Sequence, residues 1–152
     1  MLFSILKWIH VLSAIIAVGA NATYGIWLAR ASRSSDILPF TLRTIKLIDD
    51  RLANPAYGLQ LITGLAMAFI LPVPLTTPWL LTSLILYALL VLIGLGGYTP
   101  TLRRQIQILD SEGLHSSNYQ ALARRGTTLG IILAILAIAI VFLMVVKPTL
   151  WM

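Results

Sequence analysis

Hydrophobic side chains occupy four long stretches of the chain, and shorter polar connections separate them. The stretches cover residues 3–29, 56–71, 79–98 and 127–146. At about 1.5 Å of rise per residue, helices over them would measure roughly 24 to 40 Å, against roughly 30 Å for the hydrocarbon core of a bilayer. The pattern predicts an all-α integral membrane protein, an antiparallel bundle of four transmembrane helices that forms one domain over residues 1–152.

Two of the connections repeat apolar residues at helical spacing among charged ones. In residues 36–54 the apolar positions are Ile37, Leu38, Leu42, Ile45, Ile48 and Leu52. In residues 101–125 they are Leu102, Ile106 and Leu109. Amphipathic segments of this kind lie at the membrane interface or extend a spanning helix into water. We expect helical extensions on one side of the bilayer.

Proline positions predict where the helices begin and end. Asn54-Pro55 and Thr77-Pro78 each read as an N-cap followed by proline at the first helical position. The second span is expected to stop at residues 72–74. A glycine-rich run over residues 94–97 is expected to loosen the end of the third span before Thr99-Pro100.

Composition excludes a water-soluble domain, and charge predicts the orientation. Only 11% of the residues are charged, against about 25% in soluble domains, and the mean hydropathy is +0.92. Nine of the eleven basic residues lie in residues 30–54 and 101–126. The positive-inside rule then places both connections in the cytoplasm and both termini outside the inner membrane. A site for anionic lipid would explain the same cluster, but topology alone suffices and nucleic acid is not implied.

Cysteine is absent, which excludes disulfides, iron–sulfur clusters and thiolate metal sites. A cleaved signal peptide competes with the first span, because Ala20-Asn21-Ala22 resembles a cleavage site. A signal peptide needs a basic start and a short apolar core. Here the apolar run begins before Lys7 and continues past Ile26, so we expect a transmembrane helix.

Polar residues inside the spans are the candidates for helix contacts or for a polar pathway. Small and polar residues let helices approach closely and pair their hydrogen-bonding groups away from lipid. On the first helix one stripe contains Lys7, His10, Ser13, Ala14, Ala17, Asn21, Tyr24 and Gly25, and the second helix offers Tyr57, Gln60, Thr63, Gly64 and Met67. Of these, the interface or pathway candidates are Lys7, Asn21, Tyr24, Gln60 and Thr63.

His10 is the only histidine expected at membrane depth. Such a histidine is a candidate ligand for haem or for a metal ion, the alternative being an imidazole that hydrogen-bonds a neighbouring helix. Met67 is expected at nearly the same depth, so His10 and Met67 form a candidate axial pair for haem, although Met67 also reads as core filler. His115 lies in a polar connection and cannot join His10. Copper would have only His10, Met67 and Met1 as ligands.

Three short motifs resemble a known family of four-helix bacterial membrane proteins, labelled domain of unknown function 2269. The motifs are Lys7-Trp8-Ile9-His10 with Gly19 after it, Leu61-Ile62-Thr63-Gly64, and the ending Leu143-Met144-Val145-Val146-Lys147-Pro148. The resemblance covers essentially the whole chain. It implies the four-helix architecture and no particular activity.

Lys7 and His10 are also similar to the opening of a bacterial membrane-bound protoporphyrinogen oxidase and of copper-resistance-type four-helix domains. In the oxidase family the matching histidine is linked to haem b and the lysine to activity. This chain departs from that pattern, because Leu28-Ala29-Arg30 stands where the oxidases close their first helix with Pro-Arg. The resemblance therefore keeps haem b binding open and argues against the oxidase activity.

Two functions are expected from these residues. The first is a non-enzymatic bundle that supports an assembly or the passage of a small molecule, with Gly126, Gly130 and Ala134 available for a contact between chains. The alternative is a haem b protein ligated by His10, engaged in electron transfer or tetrapyrrole oxidation. A passage predicts a water-accessible line from His10 to Asn21 and Gln60, whereas haem predicts a wide apolar slot beside His10.

Overall fold

The computed structural model describes residues 1–34, 36–71 and 73–149, and over these residues the chain is helical with no strand. The α-helices are α1 (Leu2–Ala31), α2 (Leu38–Ile48), α3 (Asn54–Ile70), α4 (Pro78–Ile93), α5 (Thr99–Glu112) and α6 (Ser117–Val146). Two π-helical turns complete the order, the first at Asp49–Ala53 and the second at Gly94–Tyr98. The predicted stop at Pro72 involves a residue outside this description.

The two π-turns join each amphipathic helix directly to an apolar one, at Asn54-Pro55 and at Thr99-Pro100. The first connects α2 to α3 without a break, and the second connects α4 to α5. The amphipathic connections are therefore direct continuations of apolar helices. Helix α6 likewise begins ten residues before the predicted span, at Ser117, where the Ser116 hydroxyl accepts a hydrogen bond from the Tyr119 N–H.

Proline explains why each wide turn stands where it does. A proline inside an α-helix has no N–H to donate, and its ring collides with the carbonyl four residues back. Each π-turn ends one residue before an Asn-Pro or Thr-Pro pair, at Asn54-Pro55 and Thr99-Pro100. The Asn54 N–H bonds the Asp49 carbonyl and the Thr99 N–H bonds the Gly94 carbonyl, both five residues back. We attribute the continuity of both helices to this widening.

The helices pack as two pairs. Helix α1 packs along α3, and α4 packs along α6, while α1 and α6 touch more sparingly. Contacts run from His10 to Thr63 and from Asn21 to Tyr57, so α1 and α3 run in opposite directions. At the far end, α2 packs on α5, and their residues Leu42, Ile45 and Leu102 join a buried apolar cluster with Tyr24, Tyr98 and Tyr119.

Apolar side chains cover the outside of the helices, as expected where lipid replaces water. Ile15, Ile62 and Ile138 are each exposed to more than half of their area. In the described part of the chain, three helices are long and apolar enough to cross a membrane: Leu2–Ala31, the continuous Pro78–Glu112, and Ser117–Val146. The predicted second span coincides with α3, which at 17 residues measures about 26 Å.

The predicted inward stripe of α1 is largely its buried face. Ser13, Ala17 and Tyr24 are buried, and His10 and Asn21 are half-buried. Residues of α1 outside the stripe, such as Val11 and Ile15, are exposed. Lys7 and Gly25, at either end of the stripe, are exposed as well.

Candidate functional site

His10 binds α1 to α3 through one ring nitrogen. Its Nδ1 lies 2.9 Å from the Gln60 carbonyl oxygen and 3.1 Å from the Thr63 Oγ1. A carbonyl oxygen only accepts, so Nδ1 carries the proton and Nε2 keeps its lone pair. The Thr63 hydroxyl donates in turn to the Leu59 carbonyl at 2.7 Å. The imidazole is thereby fixed in one tautomer and one orientation.

Gly64 makes room for that imidazole. A Cβ atom placed on Gly64 would lie 3.0 Å from the His10 Cε1 atom, closer than ordinary van der Waals contact. The ring therefore fills the space that a side chain at Gly64 would take. Among the glycines of α1 and α3, Gly64 is the one that a neighbouring side chain approaches so closely. Gly19, Gly25 and Gly58 have open space around them.

The remaining predicted site residues fall into two groups. Met67 is half-buried on α3, and among the described residues no hydrogen bond or ring contact joins it to His10. Lys7 is exposed. Gln60 lies beside His10, and its side-chain oxygen is buried and accepts no hydrogen bond in the described part of the chain. Asn21 and Tyr24 lie further along α1, where they line a cavity that His10, Gln60, Thr63 and Met67 do not line.

The cavity separates the two helix pairs and has a volume of about 630 Å³. Along α1 its lining runs from Val18 to Ser32, which corresponds to about 21 Å of helix. Five tyrosines contribute to the wall, with smaller polar groups between them: Tyr24, Tyr57, Tyr87, Tyr98 and Tyr119, together with Asn21, Asn54, Thr99 and Gln105. Its size is typical of sites that enclose small organic molecules.

Asp49 is the one acidic residue among the described residues that line this cavity. It begins the first π-turn and is only 4% exposed. Its Oδ2 accepts hydrogen bonds from the Asn54 Nδ2 and from the Thr99 Oγ1, each at 3.2 Å. These donors are the residues that directly follow the two π-turns. One carboxylate oxygen thus connects the wide turns of two different helices.

The charge of Asp49 has no ionic partner among the described residues. The two ion pairs found there join Arg43 to Asp110 and Lys46 to Asp50. Burial raises the pKa of Asp49 above the usual range of a carboxyl group, while the hydrogen bonds from Thr99 and Asn54 act in the opposite direction. A buried carboxyl group without an ion pair, beside a cavity, is a typical feature of a functional site.

Tyrosines carry the polar contacts across the deeper part of the cavity. The Tyr87 hydroxyl donates to the Tyr57 carbonyl at 2.5 Å, and the two rings meet edge to face with centroids 6.4 Å apart. The Tyr57 hydroxyl in turn accepts from the Asn21 Nδ2 at 3.1 Å. The Tyr24 hydroxyl differs from these, since it is buried and has no hydrogen-bond partner in the described structure.

A family model described as "Predicted integral membrane protein (DUF2269)" matches residues 4–148. The chain belongs to the DUF2269 family. The resemblance drawn from the three short motifs is thereby confirmed, and with it the membrane location. No curated protein and no solved structure matches the chain.

The described residues of this DUF2269 protein contain no cluster of metal-ligating side chains. Within residues 1–34, 36–71 and 73–149, no three side chains of the His, Asp, Glu or Cys type come together around a common point. Gly126 and Gly130, considered above for contacts between chains, face Gln105 and Tyr98 of the same chain.

Sequence reasoning missed the Asp49 cluster in the DUF2269 chain. Asp49 stands between Lys46 and Arg51, where a carboxylate reads as part of a solvated helix face. One signal was present: the hydrophobic residues Ile45 and Leu52 lie four and three residues from Asp49, on the same side of a helix. That register placed the carboxylate on the apolar face, in contrast to Asp50.

Proposed function

We propose that this protein is a four-helix bundle of the inner membrane that admits a small molecule to the cavity between its helix pairs, without catalysing a reaction on it. The cavity carries the proposal. It lies between two apolar helix pairs, and it concentrates the polar groups Asn21, Tyr24 and Asp49 on its wall. Within a span, the polar groups of Asn21 and Tyr24 are costly unless they serve a pathway or a bound molecule.

The proposed bundle has α3 as its fourth span and α2 and α5 as extensions in the cytoplasm. Basic residues support this orientation, since nine of the eleven lie in residues 30–54 and 101–126, which contain α2, most of α5 and the first turns of α6. At the opposite end, the Lys147 ammonium lies 5.2 Å from the centre of the Trp79 ring. Lysine and tryptophan are typical anchors at the lipid–water interface.

The orientation is tested with a reporter that is active only in the periplasm, fused after Met152. Activity is expected, because both termini are proposed to lie outside. The same reporter placed after Gly113, in the turn between α5 and α6, is the matched control and is expected to be inactive. The opposite pair of results would overturn the orientation, and with it our proposal that the cavity opens towards the cytoplasm, near Ala123.

Access to the cavity is tested with single cysteines, since the natural chain has none. Ala137 lines the deep part of the cavity and is 8% exposed, whereas Ile135, two residues away on α6, is 62% exposed on the outer face. Inside-out vesicles with Ala123→Cys, Ala137→Cys or Ile135→Cys are treated with a charged, membrane-impermeant thiol reagent.

Modification is expected to be fastest at Ala123→Cys, near the mouth, slower at Ala137→Cys and absent at Ile135→Cys, because lipid excludes the reagent. The reactivity of Ala137→Cys relative to Ile135→Cys decides the proposal. Equal inertness of these two positions would mean that the cavity is closed to small polar molecules, and the proposed function would be abandoned.

Haem b binding is the second candidate, and one observation favours it. A ligating histidine typically donates its other ring N–H to a carbonyl or carboxylate oxygen, and His10 donates Nδ1–H to the Gln60 carbonyl. Nε2 would therefore be the ligating atom. Met67 is the expected second ligand from the sequence, and no contact between the two side chains supports it.

The absorption spectrum of the detergent-purified protein tests this candidate, oxidised and dithionite-reduced, beside His10→Ala. A Soret band that shifts on reduction and vanishes in His10→Ala would establish haem binding. A Met67→Leu variant then reports on the second ligand through the shape of the reduced bands. Protein purified from haem-replete cells without a Soret band would leave His10 as a residue that joins α1 to α3.

A further inference from the structure

The wall of the cavity carries a charge of opposite sign to the net charge of the protein. The chain has eleven Lys and Arg residues and a net charge of +6, yet none of the basic residues lines the cavity in the described structure. The one ionisable acidic group on its wall is Asp49. An anionic molecule inside would meet a carboxylate and no cation, whereas a cationic molecule would meet a complementary charge.

Two polar atoms of the wall have hydrogen-bonding capacity that the protein does not use. Asp49 accepts its two hydrogen bonds through Oδ2, and Oδ1 accepts none from the described residues. The Tyr24 hydroxyl, on a residue 4% exposed, is buried and unpartnered. Buried polar groups are normally satisfied, so the unpartnered Tyr24 hydroxyl indicates a polar ligand, and the free carboxylate oxygen of Asp49 on the same wall favours a ligand that donates hydrogen bonds.

The nearest lysine does not supply the missing donor. Lys46 forms its ion pair with Asp50, on the exposed side of the helix. Around Asp49 the neighbouring elements contribute hydroxyl and amide groups and tyrosine rings, from Thr99, Asn54 and Tyr98. Aromatic faces attract organic cations, and a wall with five tyrosines offers several of them.

We infer that the cavity binds a protonated organic amine, with its ammonium group at the Asp49 Oδ1 and the Tyr24 hydroxyl and its apolar part between the tyrosines. This inference rests on the proposed function and names the class of molecule that enters. An ammonium group supplies up to three N–H donors, which matches the unused acceptors, whereas a quaternary cation would leave them unsatisfied. The volume of about 630 Å³ accommodates an arylalkyl amine.

The test is calorimetric titration of the detergent-purified full chain with three matched probes. They are 4-phenylbutylammonium, the neutral 4-phenylbutan-1-ol and the anionic 4-phenylbutanoate. The ammonium is expected to bind about tenfold or more tightly than the alcohol, because a hydrogen bond to a charged group is stronger than a neutral one. The anion is expected to bind most weakly.

Two variants assign the selectivity to the residues. Asp49→Asn keeps an oxygen for Asn54 and Thr99 but removes the charge, so the preference for ammonium over alcohol should disappear. Asp50→Asn is the control, since Asp50 is exposed and does not line the cavity, and it should bind like the natural protein. Tyr24→Phe removes a hydroxyl that bonds nothing in the protein, so it should fold normally and weaken ammonium binding severalfold.

The outcomes separate this inference from the proposed function. Equal binding of ammonium and alcohol, an unchanged preference in Asp49→Asn, or no binding of the ammonium at all would each overturn the amine assignment. In that case, reaction of Ala137→Cys with the thiol reagent in the same preparation would still support a cavity that small polar molecules can enter. An inert Ala137→Cys would overturn both. If Asp49→Asn does not fold, Tyr24→Phe decides the assignment alone, and unchanged affinity in that variant contradicts it.

Discussion

In the His10 region and in the Asp49 region, a single side-chain atom has two hydrogen-bond partners. The two atoms connect different parts of the protein. His10 Nδ1 reaches two groups of a single helix, the Gln60 carbonyl and the Thr63 hydroxyl. Asp49 Oδ2 accepts from Asn54 on its own helix and from Thr99 on another. The first contact fixes a helix pair, and the second joins the two halves of the protein. The difference shows that a polar residue's place in the packing, more than its rarity in the sequence, determines what it holds together.

The largest expected effect breaks the Asp49 connection. Asp49→Ala removes the acceptor of both Asn54 and Thr99 and should lower the free energy of unfolding by about 2 to 4 kcal/mol, since each donor loses its partner. Unfolding by sodium dodecyl sulfate in mixed micelles measures this energy.

Asp50→Ala is the control for that measurement. It removes the ion pair with Lys46, whose side chain is 13% exposed against 47% for Asp50, and such a partly exposed pair should contribute about 1 kcal/mol or less. Similar losses in the two variants would mean that the carboxylate of Asp49 does not join the helices.

A second comparison tests how tightly the His10 ring is held. Gly64→Ala should destabilise the protein by about 1 to 3 kcal/mol, because the new methyl group would press on the imidazole. Gly19→Ala, at a position with open space, should instead stabilise it by up to about 1 kcal/mol through helix propensity. The two unfolding energies should therefore change in opposite directions. A shift of the same sign and size would show that the ring does not occupy the space beside Gly64.

Tyrosine hydroxyls of the cavity give a smaller contrast. Tyr87→Phe removes the hydrogen bond to the Tyr57 carbonyl and should cost about 0.5 to 1.5 kcal/mol of the free energy of unfolding. Tyr24→Phe removes a buried hydroxyl without a partner and should be neutral or stabilising. Thermal unfolding of the two variants side by side distinguishes them, and a larger loss in Tyr24→Phe would contradict the unpartnered hydroxyl.

The smallest effect concerns pH. Burial raises the pKa of Asp49 in the folded protein, so the folded state binds this proton more tightly than the unfolded state does. Its contribution to stability is complete below the unfolded pKa of about 3.9 and is lost as the pH rises through the folded pKa. The hydrogen bonds from Thr99 and Asn54 keep the effect small, and Lys46 and Asp50 act on it in opposite directions.

This pH effect is measured as the difference in melting temperature between the natural protein and Asp49→Asn across the acidic range. The natural protein should lose stability relative to the variant as the pH rises. A constant difference would show that Asp49 titrates alike in the folded and unfolded states.

The sequence was informative where a single physical property decides the outcome. Helical content follows from long apolar runs, and the inward face of α1 follows from the spacing of small and polar residues such as Ser13 and Ala17. Family membership confirmed the three short motifs. These features depend on local sequence and on the bilayer as a solvent, so they can be recognised without knowledge of packing.

The π-turns and the Asp49 cluster depend on contacts between distant segments. Asn54-Pro55 reads as a helix start in isolation, and the chain instead widens the preceding turn and continues the helix. Asp49 and Thr99 are fifty residues apart, and no local pattern states that they meet. The cavity could not be predicted either, because its existence depends on how far apart the two helix pairs stand.

Positions along helix α6 give the depth of the cavity in the proposed membrane. Its Lys147 end lies beside Trp79, at the proposed outer edge of the membrane. Counting back at about 1.5 Å per residue, Ala137 lies roughly 15 Å below that edge and Gly126 roughly 31 Å below it. The lining on α6 reaches from Tyr119 only to Ile138. In the proposed orientation the cavity therefore lies in the cytoplasmic half of the bilayer and ends near its midplane, so a molecule that entered from the cytoplasm would stay on that side.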